Sequence, residues 1–274
     1  MILIDGHPIE LNHFNDGTYY IKYDPRDVYL NPAFITWCYE DDSEAMALVF
    51  LTRHIQESER QVILNLPFIP NGRQDRCAAP SDIFTLKYFA EFINSLNFQQ
   101  VNVYDPHSDV APALINHCRI TYPTQCVLDL LKKHEGAIVV YPDSGSAKKY
   151  GPLFQVPYFR GIKVRNFETH KIESFQLVGT EDSIAGKDIL IVDDICGTGH
   201  TLYKAARELK GLGAKDIYIF VSHCENTVLG PHINGKSLLE YDLITKLYTT
   251  NSIFSSNHPK IEIVHHFDYL TLHK

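Results

Sequence analysis

The stretch Asp188-Ile-Leu-Ile-Val-Asp-Asp-Ile-Cys-Gly-Thr-Gly-His-Thr-Leu202 decides the fold class of this chain. Its apolar run, Ile189 to Val192, predicts a buried strand that two acids close, and a Gly/Thr loop then leads into a helix starting at Leu202. In an open α/β sheet, ligands bind at the carboxyl ends of the strands, where N–H groups of a Gly-rich turn and a helix N-terminus hold phosphate. The paired acids can accept hydrogen bonds from sugar hydroxyls. The stretch therefore predicts a ribose-phosphate site, with a plain strand-to-helix connection as the simpler alternative.

Strands and helices alternate along the rest of the chain, which predicts parallel sheets built from βαβ units. A helix is predicted from Glu44 to about Gln56 with Ser43 as its cap, and another begins at Ser81 or Asp82. A further helix is predicted near 126–134, and strands at 61–66, 101–105, 137–141, 158–164, 174–178 and 217–221.

The composition is that of an ordinary soluble protein, with 45% hydrophobic and 21% charged residues. The net charge of −8 argues against nucleic acid or an anionic membrane as a partner, since no Lys/Arg cluster offsets it. The six cysteines have no CxxC spacing, which predicts reduced thiols of a cytoplasmic protein rather than disulfides or a zinc site. Met1–Asp5 is too short an apolar run for a signal peptide, and no stretch approaches the length of a membrane span.

Six short motifs, in the same order along the chain, resemble those of the ribose-phosphate pyrophosphokinase family. Residues 193–201 are similar to the phosphoribosyl-pyrophosphate loop that this family shares with type I phosphoribosyltransferases. Arg73-Gln-Asp-Arg76, which follows a Pro/aromatic stretch, resembles the family's ATP segment, and ordinary phosphoribosyltransferases lack that segment. The other four motifs are Phe14-Asn-Asp-Gly17, Asp105-Pro-His107, Pro142-Asp-Ser-Gly-Ser-Ala-Lys-Lys149 and Thr250-Asn-Ser-Ile253.

The resemblance implies an α/β fold of two tandem type I phosphoribosyltransferase-like domains with mostly parallel sheets. We place the boundary near residue 135, with an ATP-binding domain at 1–135, a ribose-phosphate-binding domain at 136–256, and 257–274 returning to the first domain. Because no low-complexity linker separates the halves, we expect one rigid body with a cleft between them. The resemblance also implies a homo-oligomer whose ATP site lies at a subunit interface.

The activity implied is Mg²⁺-dependent transfer of the β,γ-diphosphate of ATP to the anomeric hydroxyl of ribose 5-phosphate, with release of AMP. Arginine suits ATP because its planar fork grips phosphate oxygens and stacks on adenine. An exposed salt bridge at 73–76 and a core position for Phe14 remain simpler alternatives. Thr18 stands where the family has an acid, so base recognition is expected to differ. The ATP-binding residues implied are Phe14, Asp16, Arg73, Gln74, Asp75, Arg76 and His107.

The resemblance completes the site with metal-binding, catalytic and sugar-binding residues. His107 and Asp143, each after a predicted strand, would bind Mg²⁺ and the ATP phosphates. Lys163 and Arg165 resemble the family's mobile flap and, with His107, would be catalytic, closing on the phosphates and excluding water. A structural role for His107 and solvated charges at 163 and 165 remain alternatives. The ribose-phosphate-binding residues implied are Asp143, Asp193, Asp194, Gly197, Thr198, Gly199, His200 and Thr201.

The loop departs from the family pattern, Asp-Asp-x-x-Asp-Thr-x-Gly-Thr, at two positions. Gly197 replaces the third acid and is expected to open space beside the 5-phosphate. His200 stands where a small residue is usual and could reach a second phosphate. Both changes would suit a larger acceptor such as ADP-ribose, in NAD-related metabolism. We favour ribose 5-phosphate and keep ADP-ribose as the alternative.

Two other function classes stay open on the sequence alone. A phosphoribosyltransferase is disfavoured because Arg73–Arg76 and the Asp105-x-His107 motif would then lack a purpose. A non-catalytic regulator that binds ribose phosphates is the other class. Loss of Lys163 or Arg165 would have indicated a regulator, and both are present.

Overall fold

The computed structural model of the protein describes residues 1–24, 31–165, 172–179, 183–265 and 267, with the side chains of 162–165 and 172–176 left out of the description. These residues form two compact units. The first contains Met1–Tyr122 and Phe267, and the second contains Pro123–His266. Both units are α/β.

The first unit is built on a mostly parallel sheet with the spatial order β2-β1-β5-β6-β7-β8. Strands β5 to β8 run parallel, β1 and β2 are antiparallel at one edge, and β3 and β4 form a separate hairpin. The described elements of this unit are β1 (Ile2–Ile4), β2 (His7–Pro8), β3 (Leu11–His13), β4 (Tyr19–Ile21), β5 (Ala33–Trp37), α1 (Glu44–Glu57), β6 (Val62–Leu66), α2 (Thr85–Ser95), β7 (Gln100–Tyr104), α3 (Val110–Leu114) and β8 (Cys118–Thr121).

The second unit has a larger sheet, ordered β11-β10-β9-β12-β13-β14-β15, and among its described strands only β11 runs antiparallel to its neighbour. Parallel strands joined by helices are what the alternation of elements predicts, and this part of the prediction is confirmed. The described elements are α4 (Thr124–Lys133), β9 (Ile138–Tyr141), α5 (Ser144–Phe154), β10 (Tyr158–Arg165), β11 (Ile172–Gly179), β12 (Ile189–Cys196), α6 (His200–Gly211), β13 (Ile217–Cys224), β14 (Lys246–Thr250) and β15 (Ile261–His265).

Strand β12 lies in the middle of this sheet and is buried on both faces. Ile189 and Ile191 pack into one hydrophobic cluster, with the apolar side of α6, while Leu190 and Val192 pack into the other, with α4 and α5. Successive side chains of a strand point to opposite faces, so a strand covered on both sides needs a continuous apolar run. The run in the opening stretch is therefore a consequence of helices on both faces of the sheet.

The unit boundary differs from the predicted one near residue 135. Helix α4 belongs to the second unit because its Val127 and Leu130 pack in the same cluster as Val139 and Tyr141 of β9. The return to the first unit is also later than 257, since β15 pairs in parallel with β14. Phe267 is the described residue that returns, and its ring stacks edge-on against Tyr104 with ring centroids 4.8 Å apart.

Several element boundaries also correct the sequence-based prediction. Helix α2 begins at Thr85 rather than at 81 or 82, because the Asp82 carboxylate accepts the N–H groups of Ala78 and Ala79, each at 2.9 Å, and so stabilises the preceding turn. Strand β12 does not end at its acids but continues to Cys196, since its ladder with β13 runs to Cys224. Ser43 stands at the cap of α1, but its hydroxyl donates to the Asp41 carboxylate instead of capping the helix.

Candidate active site

Several residues singled out from the sequence meet at the carboxyl edge of the second sheet. Strands β9, β12 and β13 are parallel neighbours, so their carboxyl ends lie side by side. Asp143 follows β9, the acids Asp193 and Asp194 lie near the end of β12, and the loop Gly197–Gly199 connects β12 to α6. This is the edge at which the sequence predicts a ribose-phosphate site.

A serine that sequence reasoning missed links the acids of two strands. The Ser146 hydroxyl lies 2.6 Å from Asp193 Oδ1 and 3.2 Å from Asp143 Oδ1. Asp193 Oδ1 also accepts the N–H of Asp194 at 3.0 Å. The sequence signal for Ser146 is its place in the 142–149 motif, three residues after Asp143 and at the start of α5, but the sequence assigns it no role. Ser146 therefore fixes the Asp193 carboxylate at the point where the sugar would bind.

The Asp193 carboxyl holds its proton more tightly than an ordinary aspartate. Burial of the carboxyl group raises its pKa well above the usual value, and the neighbouring Asp194 carboxylate raises it further, while the hydrogen bond from Ser146 acts in the opposite direction. Asp194 is itself buried. Asp193 is half-buried and accepts hydroxyl and N–H donors at Oδ1, so the acid pair is suited to bind the hydroxyls of a sugar.

The loop that follows presents its backbone to the site. Gly199 has φ +82°, in the left-handed region, and a Cβ there would lie 3.0 Å from the Cβ and Cδ2 of Leu238. Gly199 is also the cap residue of α6, whose first N–H groups have no partner within the helix and so suit a phosphate. The Thr198 hydroxyl lies 3.0 Å from Nδ1 of the exposed His200, and Thr201 is half-buried. His200 is thus held to the loop through one ring nitrogen.

The prediction that Gly197 opens space beside the loop is wrong. A Cβ at Gly197 would lie 3.2 Å from Oε2 of Glu225 and 3.5 Å from its Oε1. Glu225 is the first residue after β13, the strand next to β12, so its carboxylate occupies the side of the loop that was expected to be empty. Sequence reasoning missed Glu225 because the register of two parallel strands is not written in either strand alone.

In the first unit, the Arg73–Arg76 segment lies against the end of β7. A Cβ at Gly72 would be 3.9 Å from Cβ of His107. Asp75 is buried, and its two oxygens pair with the Arg76 guanidinium at 2.6 and 3.0 Å. Arg76 lowers the pKa of Asp75, and so do the Ser108 hydroxyl and His107. The structure therefore brings together the two motifs that separate the pyrophosphokinase resemblance from an ordinary phosphoribosyltransferase.

The remaining ATP-segment residues face outward. Arg73, Gln74 and His107 are exposed, and Gln74 Oε1 accepts the hydroxyl of Thr85, the first residue of α2, at 3.0 Å. Asp105, directly after β7, has φ +44°. A non-glycine residue in the left-handed region at a strand end is the kind of strain found at binding sites. Asp75 is placed to orient Arg76, and the exposed side chains are placed to meet a ligand.

Phe14 is not a core residue, which removes the simpler alternative for it. Its side chain is 56% exposed and packs against the tilted ring of Tyr20 at a centroid distance of 5.1 Å, at the turn of the β3–β4 hairpin. Asp16 Oδ1 accepts both the hydroxyl and the N–H of Thr18, at 2.6 and 3.0 Å, and these bonds lower the pKa of Asp16. Thr18, where the family has an acid, therefore shapes this turn.

Two of the predicted catalytic residues cannot be placed in the site. Lys163 and Arg165 lie on β10, with Lys163 opposite Phe175 of β11, but their side chains lie outside the described residues. Their role in catalysis stays a prediction. His107, the third, is exposed beside the Arg73–Arg76 segment.

The described residues offer carboxylates but no ready-made metal cage. Among them, no three His, Cys, Asp or Glu side chains lie close enough to hold an ion, and His107 and Asp143 belong to different units. Mg²⁺ is commonly bound by one or two carboxylates together with substrate phosphates and water, and the carboxylates here fit that mode.

All six cysteines are free thiols. In the part of the chain that the structure describes, no helix is long and apolar enough to cross a membrane.

Asp143 also has a structural role, which makes its charge separable from its hydrogen bonds. Its Oδ1 accepts the N–H groups of Gly145 and Ser146, at 3.0 and 3.1 Å, and so caps α5. We expect Asp143→Ala to lower the free energy of unfolding by about 1 kcal/mol, and Asp143→Asn to change it by much less, since Asn caps as well as Asp. If the charge serves ATP or Mg²⁺, Asp143→Asn should lose activity while melting normally. Full activity in Asp143→Asn would leave Asp143 as a cap alone.

Known proteins resemble this chain over most of its length. The family model of the phosphoribosyl transferase domain matches residues 152–238, which contain the loop. A ribose-phosphate pyrophosphokinase of Pyrococcus abyssi is 24% identical over 269 residues, covering 96% of this chain and 88% of that protein. One from Synechocystis is 27% identical over 281 residues, covering 98% and 79%. The chain is thus similar to ribose-phosphate pyrophosphokinases over nearly its whole length, and its second unit matches the phosphoribosyl transferase domain.

A solved structure with a similar fold is the crystal structure of phosphoribosylpyrophosphate synthetase from Mycobacterium smegmatis. That structure matches with a TM-score of 0.77 at 20% identity, covering 96% of this chain and 87% of that chain. The match confirms the predicted fold class, mixed α/β with mostly parallel sheets and a type I phosphoribosyltransferase domain. Against that shared fold, Gly197 and His200 are local departures from the loop pattern that residues 193–201 resemble.

Proposed function

We propose that this chain is a transferase that moves the diphosphate of ATP to the anomeric hydroxyl of ribose 5-phosphate, giving phosphoribosyl pyrophosphate and AMP. The observation that carries the proposal is the acid pair Asp193–Asp194 beside the loop that precedes α6, in a chain similar to ribose-phosphate pyrophosphokinases. Carboxylates accept hydrogen bonds from ribose hydroxyls, and the N–H groups of the loop donate to the 5-phosphate. The similarity to ribose-phosphate pyrophosphokinases is the ground for proposing ATP as the second substrate.

Each described group has a distinct task in this reaction. The sugar oxygen attacks the β-phosphorus as the bond from that phosphorus to the α-phosphate oxygen breaks, so AMP leaves. Arg73 and Arg76 would hold nucleotide phosphates, with Asp75 fixing Arg76, and His107 would lie at the same face. Mg²⁺, when bound, would offset charge on the transferring phosphates. Lys163 and Arg165 keep the flap role that the resemblance gives them.

The acceptor is proposed to be ribose 5-phosphate rather than ADP-ribose. The nucleotide part of ADP-ribose would need space beside Gly197, and the Glu225 carboxylate fills that side of the loop. A second phosphate leaving the pocket there would meet a like charge. The contact between Arg73–Arg76 and β7 disfavours a phosphoribosyltransferase, which needs no ATP site.

A homo-oligomer is supported by the exposed Phe14–Tyr20 pair, which is suited to stack on a base near a subunit boundary. A cytoplasmic location follows from reduced thiols as an expectation.

A direct assay tests the acceptor. The purified protein is incubated with ATP, Mg²⁺ and either ribose 5-phosphate or ADP-ribose, and AMP release is followed. We expect kcat/KM to favour ribose 5-phosphate by at least about tenfold, since like charges in a partly dry site cost on the order of a few kcal/mol. Reactions without acceptor and without Mg²⁺ are the controls. Faster turnover of ADP-ribose would contradict the acceptor, and no AMP release with either would contradict the activity.

A further inference from the structure

Gly197 and Glu225 are aligned by the register of the sheet. Strand β12 ends at Cys196 and β13 ends at Cys224, and these two residues are partners in the parallel ladder. The N–H of Glu225 then donates to the Cys196 carbonyl at 2.8 Å, which carries the ladder one residue further. Gly197 and Glu225 are therefore the first residues after two neighbouring strands, and their relative position is set by backbone hydrogen bonds.

The Glu225 carboxylate lies slightly closer than van der Waals contact to the position that a Gly197 Cβ would occupy. A Cβ at Gly197 would be 3.2 Å from Oε2, and 3.5 Å from both Cδ and Oε1 of Glu225. The Thr227 hydroxyl donates to Glu225 Oε2 at 2.9 Å, which holds the carboxylate there. Glu225 and Gly197 are both half-buried, so the carboxylate is partly shielded from water. The contact thus joins Oε2 of Glu225 to position 197 of the loop.

The family loop carries an acid at the position of Gly197. We infer that Glu225 supplies this carboxylate from the neighbouring strand, so that the sugar-phosphate pocket keeps three acids although the loop has two. The inference rests on the proposed function and adds a specificity-determining residue to it. Glu225 accepts a hydroxyl of ribose 5-phosphate beside the phosphate loop, and its volume and charge exclude a second phosphate on that side.

The pair can be tested by moving the carboxylate back to the loop. Gly197 does not lie in the left-handed region, so the backbone accepts Asp at this position. The variants are Glu225→Ala, Gly197→Asp and the double variant, and the measurement is the Kd of ribose 5-phosphate by titration calorimetry without ATP. Glu225→Ala should weaken binding about ten- to a hundredfold, the range for a lost hydrogen bond to a charged group. Gly197→Asp alone should also weaken it, since two carboxylates then meet.

The double variant gives the decisive result. If position 197 and Glu225 are equivalent, Gly197→Asp in the Glu225→Ala background should recover most of the lost affinity, which is a strong coupling between two residues in contact. Equal affinity of the double variant and Glu225→Ala would overturn the inference, as would unchanged binding in Glu225→Ala. Glu208→Ala on α6, whose carboxylate pairs with Arg207, removes the same charge and should bind normally.

Further measurements keep the inference separate from the proposed function. Melting temperatures show which variants fold, and Glu225→Gln, which keeps the shape of the side chain, replaces Glu225→Ala if the latter does not. AMP release by the wild-type protein together with unchanged binding in Glu225→Gln would overturn this inference alone. Absence of both AMP release and ribose 5-phosphate binding in the wild-type protein would overturn the proposed function and the inference with it.

Discussion

Gly199→Ala is expected to abolish ribose 5-phosphate binding and to lower the free energy of unfolding by about 2–5 kcal/mol. A left-handed φ costs a residue with a Cβ about 1–2 kcal/mol, and a Cβ at 3.0 Å from Leu238 adds an overpacking cost of about 1–3 kcal/mol. Because the Cβ of Leu238 is close to its backbone, the loop itself must move. The movement would displace the N–H groups at the start of α6 that are proposed to hold the phosphate.

Gly186 provides a matched control for this prediction. It also has a left-handed φ, +73°, but a Cβ there meets no described atom within 4 Å. Gly186→Ala should therefore show the conformational cost alone, about 1–2 kcal/mol, with normal ribose 5-phosphate binding. Denaturant unfolding and calorimetric titration measure both quantities. An equal loss of stability in the two variants, or normal binding by Gly199→Ala, would contradict the role given to the loop.

Asp193→Asn is expected to weaken ribose 5-phosphate binding about ten- to a hundredfold and to raise the melting temperature at neutral pH. The carbonyl oxygen of Asn can still accept the Ser146 hydroxyl and the Asp194 N–H, both of which donate to Oδ1 in the wild type. The variant loses the negative charge, and its NH2 group replaces the second carboxylate oxygen. Because burial and Asp194 raise the pKa of Asp193 in the folded protein, that charge destabilises the fold while it serves the site.

The pH dependence gives this prediction its sign. Below the unfolded pKa of 3.8, Asp193 is protonated in both states and the two proteins should differ little. As the pH rises from there through the raised pKa of the folded state, the wild type loses stability that Asp193→Asn keeps. The difference in melting temperature should thus grow from acidic to neutral pH. Asp188→Asn, at the amino end of β12, is the control for charge. A variant less stable than wild type throughout this range would contradict the prediction.

The fold was largely predictable because local pattern and tertiary environment agree. The run from Ile189 to Val192 is apolar because helices cover both faces of β12, and the alternation of elements fixes parallel pairing. The acids Asp143, Asp193 and Asp194 could be placed at one edge because carboxyl ends of parallel strands lie together. The boundary near 135 could not, because which unit α4 joins depends on the packing of Val127 and Leu130.

The candidate site was predictable only where one segment carries the information. The loop 197–201 supplies its own glycines and hydroxyls, so it could be recognised from the sequence. Ser146 and Glu225 could not be recognised in this way. Ser146 contacts Asp193 from α5, and Glu225 contacts Gly197 from the end of β13, so both contacts depend on how separate segments are aligned. The error at Gly197 has the same cause, since the loop sequence records a missing acid and says nothing about the strand beside it.

The two-sided burial of β12 restricts how this site can diverge. Insertion or deletion of one residue between Ile189 and Val192 would exchange the layers into which every later side chain points, and the acids would turn to the wrong face. The strand therefore cannot gain or lose a residue without disrupting the site, and the loop keeps the length of the family pattern. Substitution is the remaining route, and a group removed at one strand end can be replaced from the next.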